Sequence, residues 1–191
     1  METVHVAWDF FKENGLKALI VKSTHKIQGQ DNDYDYAEWY SLTKPTDEEL
    51  KRQREEVFAW MPKFSIVIPL YKTPERYLKE MLDSILEQTY GNWELCLVDG
   101  SPEGEDVSRI VKKYTAKDSR VKYKILGYNG GISVNTNVAI EMAEGEFIVL
   151  ADHDDAMTPD ALYECAKVLN EHPYCDVIYS DEDKMDMDGG A

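Results

Sequence analysis

FSIVIPLYKTPERYLKEMLDSIL, residues 64–86, predicts a β-strand followed by an α-helix. The first six residues form an apolar run of the length of a buried strand. Pro74 stands where a helix can begin, because a proline at the first helical position lacks only an amide hydrogen that would have no partner there. From Tyr77 to Leu86 the apolar side chains recur at helical spacing, so one face of this helix is expected to pack against a sheet.

The same strand-and-helix unit recurs along the chain after residue 63. Segments 132–143 and 158–172 also have helical spacing, and they stop at Gly145 and before Pro173. Helical crossovers of this length return each strand parallel to the one before it. We therefore predict an α/β protein with a mainly parallel, doubly wound sheet and helices on both faces. The predicted strands are Phe64–Pro69, Trp93–Val98, Val121–Leu126, Glu146–Ala151 and Cys175–Ser180.

The first 62 residues differ from this pattern, and we expect a helical extension at 1–62 followed by one domain at 63–191. Thr46–Glu49 fits a capping box before a helix that continues through 54–58. Segment 16–27 is apolar and carries three lysines without an acid. This pattern agrees both with contact to an anionic membrane surface and with a helix packed on the domain or on a partner.

The composition limits the classes of function. The 191 residues include 37 Asp and Glu against 21 Lys and Arg, a net charge of -16, which argues against a nucleic-acid partner. A phosphorylated ligand can still bind if a divalent cation bridges it to carboxylates. No run is long enough to span a bilayer and no signal segment is found, so we expect a cytoplasmic protein. Three cysteines, Cys96, Cys165 and Cys175, are expected to be reduced core residues.

Polar and glycine-rich segments follow each of the first four predicted strands. These segments are Pro69–Thr73, Asp99–Glu103, Gly127–Gly131 and Asp152–Asp155. In an open parallel sheet the carboxyl ends of the strands share one edge, and ligands bind there. We therefore expect a binding site formed by these four segments.

Three acids follow the fourth predicted strand, where buried carboxylates would need solvent, a partner or a metal. Asp152 and Asp154 are two residues apart and therefore point the same way on leaving an extended strand. Their oxygens are the ligands that Mg²⁺ or Mn²⁺ prefers. The same acids, with Asp155, are also placed to cap a helix that begins near Thr158, so the acidic run alone leaves both interpretations open. His153 alternates away from them and is expected to have a structural or substrate-facing role.

Two other segments suit a nucleotide. Asp99 can accept the imide N–H of a pyrimidine base, and Gly100 permits close approach, although Asp-Gly-Ser-Pro is also strong turn chemistry. The Asn129–Gly131 loop precedes a helix whose amino end attracts anions, or it is a simple connecting loop.

Three longer stretches resemble a known family. FSIVIPLYKTPERYLKEMLDSILEQTYGNWELCLVDGSPEG, NGGISVNTNVAIEMAEGEFIVLADHDDAMTPDALYE and DVIYSDEDK are together similar to the nucleotide-binding half of the family 2 glycosyltransferases, which have the Rossmann-like GT-A fold. The resemblance extends from Phe64 to the end. YSDEDK and the Asp-His-Asp-Asp segment look like the bacterial rhamnosyltransferase-like and polysaccharide-assembly branch.

The resemblance implies an inverting, Mn- or Mg-dependent transfer of a hexosyl or rhamnosyl unit. The donor would be a UDP- or dTDP-linked sugar, and the acceptor a cell-surface polysaccharide or a lipid-linked glycan. Two positions depart from the family pattern: Thr136 stands where an arginine is frequent, and Val98 where a second acid is frequent. Carried over by position, Pro69 and Tyr71 line the base and ribose pocket, Asp99 faces the base, Gly100, Asn129, Gly131 and Asn137 surround the donor, and Asp152 and Asp154 hold the metal.

The catalytic base of such an enzyme belongs to a later acidic motif in the acceptor-binding half, and it is therefore expected beyond Ala191. Asp181, Glu182 and Asp183 are only weak candidates for this base. The chain is expected to be truncated before the acceptor-binding half and to be poorly active alone. A non-catalytic nucleotide-sugar-binding module is the alternative that remains open.

Two other classes fit less well. A receiver domain needs an acid pair after the first strand and an aspartate after the third, where this chain has Pro69-Leu-Tyr and Gly127-Tyr. A sugar nucleotidyltransferase needs a glycine-rich loop with an arginine after the first strand, and that loop is absent.

Overall fold

The computed structural model describes residues 44–102 and 106–180. The chain divides into two compact units, one of residues 47–178 and one of residues 1–46 with 179–191. The helices and strands of the described residues all lie in the first of these units. In chain order they are α1 (Asp47–Glu55), β1 (Phe64–Leu70), α2 (Glu75–Leu86), β2 (Trp93–Asp99), α3 (Asp106–Thr115), β3 (Val121–Ile125), α4 (Gly131–Glu141), β4 (Phe147–Leu150) and α5 (Ala161–Glu171).

The four strands form one parallel sheet in the order β3-β2-β1-β4. The central strands β1 and β2 are buried along their whole length, which agrees with their nearly continuous apolar sequence. The register pairs Leu70 with Asp99 and Val67 with Leu150. The predicted parallel α/β architecture is therefore confirmed.

Helices cover both faces of the sheet, and the larger core lies on one of them. There, Ile66 and Leu95 of the central strands pack in one cluster with Leu82 of α2, Ile110 of α3 and Leu162 of α5. The opposite face carries a smaller cluster, in which α4 covers β1 and β2. The apolar stripe predicted for the first crossover helix is confirmed, since Leu78, Met81, Leu82 and Ile85 are all buried.

The predicted fifth strand, Cys175–Ser180, is wrong, because this segment forms no strand. A strand needs a hydrogen-bonded neighbour. The amide of Cys175 instead donates to the carbonyl of His172 at 2.9 Å, in a turn that follows α5, and Val177 is 78% exposed. Within the described residues, the outer edge of β4 has no strand beside it.

Two helix boundaries also differ from the predictions. The helix expected to continue through 54–58 ends at Glu55, and the amide of Glu56 bonds to the carbonyl of Gln53 at 3.3 Å. The last helix begins at Ala161, three residues after Thr158. The cysteine prediction is confirmed, since all three are free thiols that pack against the core or within it.

Helix α1 and the residues that follow it pack against the sheet and its helices. The side chain of Gln53 accepts a hydrogen bond from Thr89 at 2.9 Å, and Tyr163 donates to Glu56 at 2.9 Å. Phe58 lies between the rings of Tyr90 and Tyr163, with centroids 6.3 and 5.2 Å away. These contacts pack residues 47–62 against the strands and helices of the same unit.

A buried ionic cluster joins the amino ends of the strands. Glu94 on β2 is only 2% exposed, and its carboxylate lies 2.6 Å from the ammonium of Lys63 and 2.9 Å from that of Lys122. It also accepts hydrogen bonds from the hydroxyl of Ser65 and the amide of Glu144. Burial opposes ionisation, but these donors together hold the pKa of Glu94 at about 2.

No helix in residues 44–102 or 106–180 is long and apolar enough to cross a membrane. Segment 16–27, for which membrane contact was considered, lies outside the described residues.

Candidate functional site

Asp99 ends β2 and is fixed by donors from two sides. Its Oδ1 accepts the amide of Ser101 at 2.8 Å, and its Oδ2 accepts the hydroxyl of Tyr123 on the neighbouring strand β3. Burial, together with the bond to Asp99, raises the pKa of Tyr123, which keeps this hydroxyl a donor. Asp99 is 2% exposed. A carboxylate has about four lone-pair positions, so these two donors do not saturate it.

Gly100 lets the loop after β3 approach the end of β2. A Cβ at this position would lie 2.7 Å from the side-chain Nδ2 of Asn135 and 3.3 Å from the Cα of Asn129. Its own amide donates to the carbonyl of Leu70 at 3.0 Å. The absence of a side chain at Gly100 therefore makes room for the chain's own glycine-rich loop.

The glycine-rich loop forms a closed set of hydrogen bonds at the amino end of α4. The side-chain oxygen of Asn129 accepts the amide of Gly131 at 2.9 Å, and that of Asn135 accepts the amide of Gly130 at 3.3 Å. The amide nitrogen of Asn135 donates to Asn129 at 3.4 Å. Gly131 has φ +80°, a conformation that favours glycine.

Asn135 is the residue that sequence reasoning missed in this region. It is 1% exposed, whereas Asn137, the residue suggested by the family resemblance, is exposed on α4. The available signal was a polar residue at a position of α4 that, like Ala139 one turn later, faces the sheet.

The loop after β1 contributes an aromatic residue and a cation. Pro69 is buried in the strand, and Tyr71 is 40% exposed. The amide of Lys72 donates to the hydroxyl of Ser101 at 2.8 Å, which ties this loop to the end of β2. The ammonium of Lys72 lies 5.6 Å from the centre of the Tyr71 ring.

The acidic segment after β4 forms a tight turn. The amide of Asp152 donates to the carboxylate of Asp155, and the amide of Asp155 donates to the carbonyl of Asp152, both at 3.4 Å. Helix α5 begins only at Ala161, and its N-cap residue Asp160 makes no side-chain capping bond. Asp155 therefore supports the turn, and the interpretation of the acids as a helix cap has no support in the contacts.

The carboxylate oxygens of this turn suit a hard divalent cation whose other coordination positions are filled by water or by a substrate. The side chains of Asp152 and Asp154 are exposed. Among the described residues the buried Nδ1 of His153 has no hydrogen-bond partner, and it lies 3.6 Å from the carboxylate of Asp154. No group of three or more His, Cys, Asp or Glu in the described parts of the chain could hold a metal alone. Two carboxylates with water and phosphate oxygens are sufficient for Mg²⁺.

The sheet brings these segments to one edge. Leu70 and Asp99 are paired at the ends of β1 and β2, and β4 lies on the other side of β1. Across the sheet β2 and β4 are two strand spacings apart, about 10 Å, and β4 ends opposite Val67, so the Asp152 turn continues from there toward the end of β1. A nucleoside diphosphate can span that distance.

The predicted catalytic base is not among the residues described at this edge. The weak candidates Asp181, Glu182 and Asp183 lie outside the described residues. Ala191, beyond which the base is expected, lies outside them as well. The assignment of the base therefore stays a prediction.

Comparison with known proteins gives a family match. Residues 65–187 match the family model of glycosyl transferase family 2. An uncharacterized protein of Sinorhizobium fredii is 43% identical over 130 residues, which are 68% of this chain and 14% of that protein. The O-antigen biosynthesis protein RfbC of Myxococcus xanthus is 27% identical over 155 residues, 81% of this chain and 12% of its own length. This chain therefore spans a small part of the length of these relatives.

A solved structure supports the same fold. The crystal structure of Staphylococcus aureus TarS in complex with UDP-GlcNAc aligns with a TM-score of 0.54 and 34% identity over 58% of this chain and 32% of that one. TarS is named a poly(ribitol-phosphate) beta-N-acetylglucosaminyltransferase. The described sheet and helices are thus a GT-A-like fold.

Proposed function

Because this chain belongs to glycosyl transferase family 2, we propose that it binds the nucleotide-sugar donor of a metal-dependent, inverting glycosyltransferase. One observation carries the proposal: the ends of three neighbouring strands present a buried carboxylate, an aromatic side chain and an exposed pair of acids along one edge. These are Asp99, Tyr71 and the Asp152–Asp154 turn.

Each segment has a distinct role in this proposal. Pro69 and Tyr71 line the base and ribose pocket, and a free lone pair of Asp99 accepts the imide N–H of the base. Gly100 and Asn129 hold the glycine-rich loop against β2. The amino end of α4 at Gly131 faces the phosphates, as helix amino ends favour anions, and Asn137 lies further along that helix.

Asp152 and Asp154 would hold Mn²⁺ or Mg²⁺, with Asp154 the direct ligand and Asp152 also near the ribose or sugar. The bound cation would neutralise the charge that develops on the departing diphosphate. In-line attack by the acceptor hydroxyl requires a base on the acceptor side, and the resemblance assigns that base to a later acidic motif.

The substrates are part of the same proposal. The donor is a UDP- or dTDP-linked hexose or rhamnose, and TarS has been solved with UDP. The acceptor is a polysaccharide or a lipid-linked glycan, in line with relatives named for O-antigen and teichuronic acid biosynthesis. We place the reaction in the cytoplasm, with segment 16–27 as a contact to the inner face of the membrane.

Titration with nucleotides tests the donor site. We expect UDP or dTDP to bind more tightly with Mn²⁺ than with EDTA, and GDP to bind less well, as measured by calorimetry. Asp154→Ala should remove the metal dependence and leave the metal-free affinity unchanged. Asp176→Ala, an exposed aspartate beyond α5, is the matched control and should behave as wild type. A folded wild-type chain without metal-dependent binding of any nucleotide would refute the donor site.

A further inference from the structure

Lys72 has an unusual backbone conformation at the proposed binding edge. Its φ is +51°, and within residues 44–102 and 106–180 it is the one residue other than glycine with a positive φ. This region of conformation disfavours a long side chain, whereas Asn and Gly accept it readily. Residues held in such a conformation cluster at ligand sites, where the surrounding structure compensates for the strain.

A chain of hydrogen bonds across three strands holds Lys72 in place. Its amide donates to the hydroxyl of Ser101, which is 4% exposed. The amide of Ser101 donates to Asp99, and the hydroxyl of Tyr123 donates to the other oxygen of Asp99. The strained residue is therefore fixed from β2 and β3 before any ligand binds.

The ammonium of Lys72 has no carboxylate partner within the described residues, although the net charge of the chain is -16. Four other described lysines, Lys63, Lys79, Lys122 and Lys167, have carboxylate partners, whereas Lys112 and Lys124 lack one as Lys72 does. Lys72 is exposed, and its ammonium lies 5.6 Å from the centre of the Tyr71 ring, so both side chains are on the same side of the loop. A cation beside an aromatic ring can bind a ligand that carries both an anionic group and a planar ring able to stack on the aromatic side chain.

An anionic ligand at this edge would need a cationic side chain, because a bound metal ion would already be neutralised by the acids that hold it. The negative charges of Asp152 and Asp154 are equal to the positive charge of one divalent cation. The diphosphate of a donor therefore keeps its own charge unless a cationic side chain contacts it. Lys72 lies on the loop between the Asp99 strand and the Asp152 turn, where a long side chain can reach that group.

We propose that Lys72 is a specificity-determining residue that donates to the diphosphate, and that Ser101 is the positioning residue that holds it. The inference rests on the proposed donor site and deepens it. It predicts that the site distinguishes a nucleoside diphosphate from the nucleoside by means of the Lys72 ammonium, while the pocket at Tyr71 and Asp99 binds both.

Lys72→Asn tests the inference directly, because Asn removes the charge and tolerates the same backbone. In titrations with Mn²⁺, the affinity for UDP or dTDP should fall about tenfold, as expected for a charge-assisted hydrogen bond, and the affinity for uridine or thymidine should change less than about twofold. The thermal midpoint should rise by a few degrees, since the strain is relieved. A residue with only a structural role would not combine weaker binding with a more stable fold.

Lys112→Asn is the matched control for the charge change. Lys112 is exposed in the last turn of α3, which runs antiparallel to the strands and ends away from their carboxyl edge. It should leave both affinities unchanged. Ser101→Ala should weaken UDP binding in the wild-type background but not in Lys72→Asn, and Ser101→Thr should restore binding, because the hydroxyl acts through Lys72.

The outcomes separate this inference from the proposed function. If the wild type binds UDP or dTDP with Mn²⁺ and Lys72→Asn retains that affinity, or loses affinity for nucleoside and nucleotide equally, the role of Lys72 is overturned while the donor site stands. If the folded wild type binds neither nucleotide, both are overturned.

Discussion

Replacing Glu94 by glutamine should destabilise the fold in a pH-dependent way. A carboxyl group whose pKa falls from 4.5 to about 2 on folding contributes about 3 kcal/mol to stability at neutral pH. Glu94→Gln removes this contribution and leaves the ammonium groups of Lys63 and Lys122 without their buried partner. We therefore expect a loss of about 3 kcal/mol at pH 7.

The sign of the pH dependence follows from the lowered pKa. The contribution of Glu94 is complete above a pH of about 5 and is lost as the pH falls through 4.5 toward 2, because the unfolded chain takes up the proton first. By pH 3 about 2 kcal/mol of it should be gone. The difference in stability between the wild type and Glu94→Gln should therefore shrink over this range.

Urea unfolding at pH 7, 5, 4 and 3, followed by tryptophan fluorescence, measures the difference. Glu144→Gln is the control, because Glu144 contacts the same lysines from an exposed position where solvent screens the charges. Its effect should be much smaller. A stability difference for Glu94→Gln that stays constant from pH 7 to pH 3, or one that matches Glu144→Gln, would refute this account of the cluster.

Two further predictions concern glycines. Gly145→Ala should cost about 1–3 kcal/mol in urea unfolding, because its Cβ would lie 2.5 Å from the Lys63 carbonyl, whereas Gly91→Ala, with nothing within 4 Å, should be nearly neutral. Gly100→Ala should lower the nucleotide affinity measured by calorimetry and cost about 1–2 kcal/mol, since its Cβ would displace the amide of Asn135; an unchanged affinity would contradict the interlocking of β2 with the glycine-rich loop.

The sequence predicted the elements whose signals are local. Strands β1 and β2 are buried on both faces, so their apolar runs identify them without knowledge of their neighbours. The apolar run at Cys175–Ser180 has the same local character but pairs with none of the described strands. Whether an apolar run becomes a strand depends on a partner elsewhere in the chain.

Contacts between distant residues set the details of the site. Asn135 and Asn137 are the same residue type two positions apart on α4. The orientation of α4 about its axis buries the first and exposes the second. Glu94 is an ordinary polar residue within a strand until the fold brings Lys63 and Lys122 to it. The polar segments after the strands, by contrast, could be assigned to one edge, because a parallel sheet places the carboxyl ends together.

The hydrogen bonds from Tyr123 through Asp99 and Ser101 to Lys72 also have a thermodynamic consequence. Since these groups are ordered in the chain without a ligand, the entropy of fixing this loop is lost during folding and not during association. Binding at this edge begins from a preorganised surface. A change at Tyr123 would then alter ligand affinity through the order of the unbound state, because its hydroxyl donates to Asp99.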